Sequence, residues 1–259
     1  MGINKMLRLL IILLLLCFNS ANASEKDHRF FAAESAYSLN DLETAFKLFK
    51  ELADEGDAES EYYLGTMYLM FEIPRAELIR LFEVKEDPIN IGIKFIEKAA
   101  EKKQPDALGM LASFYERGFE SFELNTSKAM RLREAAAETG DALGQYNLAV
   151  ILLESEDQTD QAKAYKLFKS AAQKQLITAY FNLGVIHLRR STNEDLIRAY
   201  AWFKKVVNWK PTGDVQGLLG QQKQVFQISS EILSELETAL SEKQISEATR
   251  KSLNIEYDD

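Results

Sequence analysis

The chain of 259 residues has one cysteine, two histidines, four prolines and twelve glycines. The lone Cys17 can form no intrachain disulfide. It also lies in an N-terminal segment expected to be removed, which would leave no thiol nucleophile and no cysteine metal ligand. His28 and His187 have no histidine or cysteine partner at metal-ligand spacing, so neither is assigned a ligand or general-base role. With so little glycine and proline, long sheets joined by tight turns are not expected, and the chain reads as all-α. No Gly-rich phosphate loop and no Gly-x-Ser-x-Gly elbow occurs. Cations are short as well: 31 basic residues face 40 acidic ones, a net charge of −9. Such a chain is repelled at long range by nucleic acid and anionic lipid. The acidic pairs Asp54-Glu55 and Glu156-Asp157 could in principle serve glycoside hydrolysis, but they lie in linkers where ordinary solvated charge is expected. No catalytic, cofactor-binding, metal-binding or partner-binding residue is assigned.

The one continuous apolar run is Leu9 to Phe18, preceded by Lys5 and Arg8 and followed by Ala21-Asn22-Ala23. This is the pattern of a signal peptide over residues 1–23, with cleavage expected after Ala23 and export to the periplasm or the medium. The uncharged stretch from Leu9 to Ser24 is 16 residues, short of the roughly 20 a bilayer span needs. An uncleaved anchor is one alternative. A lipid on Cys17 is another, disfavoured by the bulky Leu16 before it. Cleavage would leave a net charge of −11, since only Lys5 and Arg8 are lost.

What the chain has is a repeat. An Ala-rich helix end, a small gap and a second helix centred on a Leu-small pair recur four times. The small residues of that second helix, helix B, are Gly65, Ala112, Ala149 and Gly184, which step by 47, 37 and 35. Helix A can be aligned independently from Ala45, Gly92, Ala129, Ala164 and Ala199, stepping by 47, 37, 35 and 35. Periods of this size indicate stacked helix pairs, each too small to stand alone. The expected fold is therefore a right-handed α/α superhelix, a solenoid of about five helix-pair repeats with helical caps.

The small residue of helix B marks a close crossing of axes, and the Leu before it fills the adjacent hollow. On this reading Gly184→Leu disrupts the stack, while Gly184→Ala is mild because Ala112 and Ala149 hold equivalent places. Tyr68 and Tyr115 pack against the next repeat, where Leu152 and His187 stand later. Asp57 and Asp141 are expected to cap helix B, and Pro105 to fall in a first turn. Residues 24–40, through Phe30, Phe31, Ala33 and Tyr37, form an N-terminal capping helix, and the repeats run over 41–211. Residues 212–259 form a C-terminal helical cap: a long helix from Asp214 to Leu240, a capping box at Ser241-Glu242-Lys243-Gln244, and a short acidic tail ending Tyr257-Asp258-Asp259. The connection from Phe71 to Asp87 is longer than its counterparts. It reads as an insertion folded back on the solenoid or as an apolar docking element. The basic runs Lys102-Lys103, Arg189-Arg190 and Lys204-Lys205 read as solvated helix ends.

Glu61-Tyr62-Tyr63-Leu64-Gly65-Thr66-Met67-Tyr68 and Tyr180-Phe181-Asn182-Leu183-Gly184-Val185-Ile186 resemble the Sel-one-like repeat family, relatives of the tetratricopeptide repeats. The likeness runs from about Leu39 to Leu253, with Lys103 in place of the linker glycine and Ala112 and Ala149 in place of the helix glycine. The resemblance implies an adaptor in protein complexes. The repeat register, the export signal and the missing catalytic set point to a non-enzymatic scaffold, exported to the bacterial cell envelope, that holds a protein or peptide in a concave groove lined largely by helix A, with the Ala45, Ala129 and Ala164 helices the ones to probe. An envelope enzyme using paired carboxylates on cell-wall carbohydrate, or a secreted effector, is the alternative. No cofactor is implied, and no stable membrane insertion is expected once the leader is gone.

Overall fold

The computed structural model describes residues 25–70, 86–209 and 219–253, together with Ala76 and Arg80. The expected leader with Cys17, nearly all of the Phe71–Asp87 insertion and the acidic tail lie outside the described residues. Among the described residues every regular element is a helix. The helices are α1 (25–38), α2 (Leu42–Asp54), α3 (Ala58–Leu69), α4 (Pro88–Glu101), α5 (Pro105–Arg117), α6 (Thr126–Glu138), α7 (Ala142–Leu153), α8 (Gln158–Gln173), α9 (Ile177–Arg190), α10 (Asn193–Asn208), α11 (Leu219–Ala239) and α12 (Glu242–Leu253). The architecture is an all-α solenoid: the A helices are α2, α4, α6, α8 and α10, and the B helices are α3, α5, α7 and α9. The chain divides into two compact units, Met1–Leu132 and Arg133–Asp259, with the division falling inside α6.

Local chemistry sets the helix ends. Asp41, Asp57, Asp87, Asp141 and Asp157 and Thr192 each place a side-chain oxygen on a free N–H of the following first turn, and Gln104 does the same. Pro88 and Pro105 open their helices, where a missing N–H costs nothing. Ser241 and Gln244 form the expected capping box: Ser241 N donates to Gln244 Oε1 at 2.9 Å and Gln244 N to Ser241 Oγ at 3.4 Å. Each A helix with a described link to its B helix closes through one left-handed residue. Gly56, Lys103, Gly140 and Gln175 hold φ of 88°, 62°, 82° and 64°. The next residue's N–H reaches back over the last turn, as from Asp57 to Leu52 O at 3.0 Å and from Gln104 to Ala99 O at 3.0 Å.

In the first unit α3 packs on α2 and on α4. The crossing of α3 and α4 has a glycine on both sides. A Cβ on Gly92 would lie 2.7 Å from Leu69 Cγ and 2.9 Å from the Gly65 carbonyl, and one on Gly65 would lie 2.8 Å from Ile96. α1 covers the start of the stack: Ala33 is fully buried, and Phe30 and Tyr37 meet Phe49 and Tyr63 edge-on. Phe31, expected to join them, is instead 71% exposed, because a helix turning 100° per residue cannot aim 30, 31 and 33 all inward.

In the second unit α7 packs on α8, α9 on α8 and α10, and α10 on α11 and α12. Gly184 meets the Phe203 ring, which a Cβ would approach to 2.9 Å. Gly184→Ala is therefore not the mild change expected, since the buried ring must move for it. The expected long C-terminal helix is described from Leu219, and Leu233, Leu236 and Leu240 with Ala248 seal α10 through Tyr200 and Phe203.

Candidate functional site

The A helices bury one stripe and leave the rest to solvent. Ala45, Ala129 and Ala164 are on the buried stripe, at 0%, 1% and 0% exposure, so they mark the inward face and not the outer surface. The outward face is carried by Lys47, Lys50 and Glu51 on α2 and by Gln161, Lys163 and Lys166 on α8. An open depression of about 500 Å³ runs along α4, floored by Ile91 and Phe95 and walled by Glu86, Lys94, Lys98 and Glu101.

A second recurring device holds the stack. At three of the A helices, α2, α4 and α10, the residue that caps the C-terminus is bonded back onto the element before it. Glu55 takes a bidentate pair of bonds from Arg29 of α1, both 2.7 Å. Lys102 donates to the Gly56 carbonyl at 2.9 Å and to Glu61 at 2.7 and 2.8 Å, and the Glu61 carboxylate is almost wholly buried. Trp209 Nε1 donates to the Gln175 carbonyl at 3.1 Å. Lys102 is thus a clamp between repeats and not the solvated helix end the sequence suggested.

The most elaborate polar cluster is in the second unit. His187 is fully buried on α9; its Nδ1 is 2.8 Å from Asp195 Oδ1 and its Nε2 3.1 Å from the Tyr165 hydroxyl. Asp195 Oδ2 accepts from the Thr192 hydroxyl at 2.6 Å. Burial pushes the His187 pKa down, opposed by Asp195, so the ring is neutral near pH 7 and the shared proton lies on Nδ1. The Asp195 carboxyl is held below the usual range by its bonds from Thr192 and His187, against the effect of burial. The geometry has the order of a relay, but its histidine reaches no solvent. It is better read against repeat one, where Phe46 and Tyr68 meet edge-on with centroids 5.3 Å apart. Tyr165 and His187 fill the equivalent slot edge-on at 5.7 Å. The slot is for packing, and the Asp195 bond orients the ring within it.

Around Tyr165 cations converge from three helices. Arg190, at the end of α9, has its guanidinium 5.5 Å from the ring centroid, and Lys169 Nζ on α8 is 6.0 Å from it. Arg198 of α10 is close enough to act on both Tyr165 and His187. Lys205 and Lys204 lie over Tyr180 and Tyr200 in the same way, at 5.4 and 5.8 Å. Reading the runs Arg189-Arg190 and Lys204-Lys205 separately missed this gathering. A count by segment finds it: residues 158–209 hold nine basic and three acidic side chains, in a chain whose net charge is −9.

The other candidate residues are placed apart. His28 is exposed on α1. Asp54 pairs with Lys50 at 2.7 Å while its neighbour Glu55 is held by Arg29. Asp157 caps α8 through Thr159 N at 2.6 Å. Neither acidic pair therefore frames a cleft. Among the described residues no three of His, Cys, Asp or Glu come together as a metal site, and no helix is long and apolar enough to cross a membrane.

Comparison with known proteins agrees with the repeat register. The family model described as Sel1 repeat matches residues 36–57, 105–141, 142–176 and 177–205. Among solved structures, the chain is similar to c5321, a protective antigen present in uropathogenic Escherichia coli strains displaying an SLR fold. The identity is 21% and the TM-score 0.48, over 90% of this chain and 53% of that one, so the chain spans about half that antigen's length. It is also similar to a Sel1 repeat protein from Oxalobacter formigenes, 21% identical over 78% of this chain and 86% of that one, with a TM-score of 0.49. No curated protein matches it in sequence.

Proposed function

The chain is a Sel1 repeat protein, and from that premise we propose that it is a non-enzymatic scaffold, exported to a bacterial cell envelope, which holds a protein or peptide along the outward faces of its A helices. Sel1 repeat proteins are generally protein-interaction scaffolds and typically non-catalytic. The observation that carries the reading is how the ordered polar groups are used. Caps, left-handed closures and the backward clamps of Glu55, Lys102 and Trp209 all serve repeat stacking. What is left for a ligand is the helix surface between them. Export rests on the leader pattern of residues 1–23 and on the small residues Ala21 and Ala23.

Photocrosslinkers at Lys47 and Lys50 of α2 and at Lys163 and Lys166 of α8 test the binding reading in cells. Capture of one specific protein from these outward positions supports it. Capture of nothing beyond abundant bystanders, or only from B-helix surfaces, overturns it. For export, the protein recovered from the envelope fraction should begin at Ser24. Recovery of the full chain in the cytoplasm alone removes that part of the proposal.

A further inference from the structure

Resting on the scaffold reading, we infer that the partner presents an acidic segment, and that it docks on the basic face of the second unit formed by Lys166, Lys169, Arg190 and Arg198 around Tyr165. The first support is charge. The block from 158 to 209 is net +6, whereas residues 25–157 are net −13 and residues 210–259 net −4. In an acidic chain such a block is a local reversal of field, and it attracts what the rest of the surface repels.

The second support is geometry. Lys169 of α8 and Arg190 of α9 lie over one ring, and Arg198 of α10 acts electrostatically on the same residue. That ring is fixed, because the Tyr165 hydroxyl is bonded to the buried His187, which is bonded to Asp195. An arginine lying on an aromatic face keeps its N–H edge for bidentate bonds to a carboxylate and loses less freedom on binding. Lys166 is exposed beside Tyr165 in sequence, and Arg198 pairs with the exposed Glu194 at 2.7 Å, a pair that a ligand carboxylate can replace. Asp195, the other acid at the cluster, has its oxygens on His187 and Thr192.

The same arrangement disfavours nucleic acid. Bases bind single-stranded sites by stacking on open aromatic faces, and here Tyr165, Tyr180 and Tyr200 each carry a cation over the ring. Apart from the block, the field around the chain repels phosphate at long range.

The test uses the chain without its leader and a fluorescent peptide of about twelve residues rich in Glu and Asp, followed by anisotropy at low and moderate salt. A matched Gln/Asn peptide and an oligothymidylate of similar length are run beside it. The acidic peptide binds, and the neutral peptide does not. Lys166→Gln with Arg190→Gln, and separately Arg198→Gln, weaken it about tenfold or more. Arg190→Lys retains part of the affinity, and the control Lys243→Gln with Arg250→Gln, two exposed cations on α12, changes nothing. Equal melting temperatures show that the variants fold. No binding of the acidic peptide overturns the inference, as do equal binding of the neutral peptide, tighter binding of the oligothymidylate, or loss in the control variant. Dimerisation of the chain that the same substitutions abolish also overturns it, in favour of a second copy on this face. A protein captured through Lys47 and Lys50 but never through Lys163 or Lys166 would leave the scaffold reading standing and remove this one.

Discussion

In the first unit the junction between repeats is closed by a charge: Lys102 reaches the Gly56 carbonyl and the buried Glu61. In the second unit the equivalent residues are Lys174, Gly140 and Gln145. Lys174 Nζ again lies by the linker glycine, where a Cβ on Gly140 would come within 3.5 Å of it. Here, however, the Glu61 position holds a neutral amide, and Gln145 Oε1 is buried with no hydrogen-bond partner among the described residues. The crossings differ in the same sense. Gly65 and Gly92 bring backbone against backbone in the first unit, while Gly184 meets a ring in the second. One repeat rule thus has two settings. At these junctions between repeats the first unit is closed by tight contacts and the second by softer ones, although within repeat three of the second unit a Cβ on Gly144 would lie 2.8 Å from the Ala136 carbonyl; the difference at the junctions is open to measurement.

The largest effect belongs to the crossings. Gly92→Ala puts a methyl 2.9 Å from a carbonyl that cannot rotate away, whereas Gly184→Ala meets the edge of the Phe203 ring. Thermal unfolding of the two variants should show the first losing about 2–3 kcal/mol and the second about 1–2. Equal losses, or a reversed order, would erase the distinction between a backbone crossing and a ring crossing.

Next in size is the buried charge. Lys102→Met leaves the Glu61 carboxylate buried without its cation, a loss of about 2–3 kcal/mol after allowing for the half-exposed lysine. Lys174→Met strands no charge and should cost under about 0.5 kcal/mol. Denaturant midpoints of the pair decide this, and a large loss from Lys174→Met would mean that the two junctions are built alike.

The aromatic slot separates the units by pH. The folded His187 takes up a proton less readily than the unfolded one, so its contribution is complete above the unfolded pKa of about 6.5 and is lost as pH falls below it. Asp195, held low, acts in the same direction at more acid pH. The melting temperature should therefore fall as pH is lowered from 8 to 5. His187→Tyr, which copies the Tyr68 of repeat one, should flatten that limb. An unchanged slope would place the acid sensitivity elsewhere.

How much of this was legible depended on distance along the chain. Period, caps and closures involve residues within a few positions of each other, and Asp57, Pro105, Asp141 and the Ser241 box stand where local chemistry put them. The Lys102 clamp links residues 41 and 46 positions apart, and a pair of lysines at a helix end looks solvated until the preceding linker is seen beside it. His187 was visible as a substitute for Tyr68, but its bond to Asp195 exists because α9 ends and α10 starts within four residues, so that the two side chains turn toward each other. The basic block was legible in principle. Short runs concealed it, since its cations are spread along residues 163–205, five singly and four in two pairs, at intervals that only folding converges.

Two small gains sharpen the comparison last. Gln145→Glu rebuilds in the second unit the pair that Glu61 makes in the first, and should add about 0.5 kcal/mol that Lys174→Met cancels in a double-mutant cycle. Gln175→Gly relieves a side chain held at φ 64°, where Gly56 and Gly140 stand in their own repeats. The left-handed strain of about 1 kcal/mol is offset by the greater freedom glycine gives the unfolded chain, so the net gain is a few tenths of a kcal/mol. The carbonyl that Trp209 binds is unaltered by the change, so the gain should appear in the melting temperature with no change in tryptophan emission. A loss of stability instead would mean that the Gln175 side chain, and not the backbone turn alone, helps to hold the fourth junction closed.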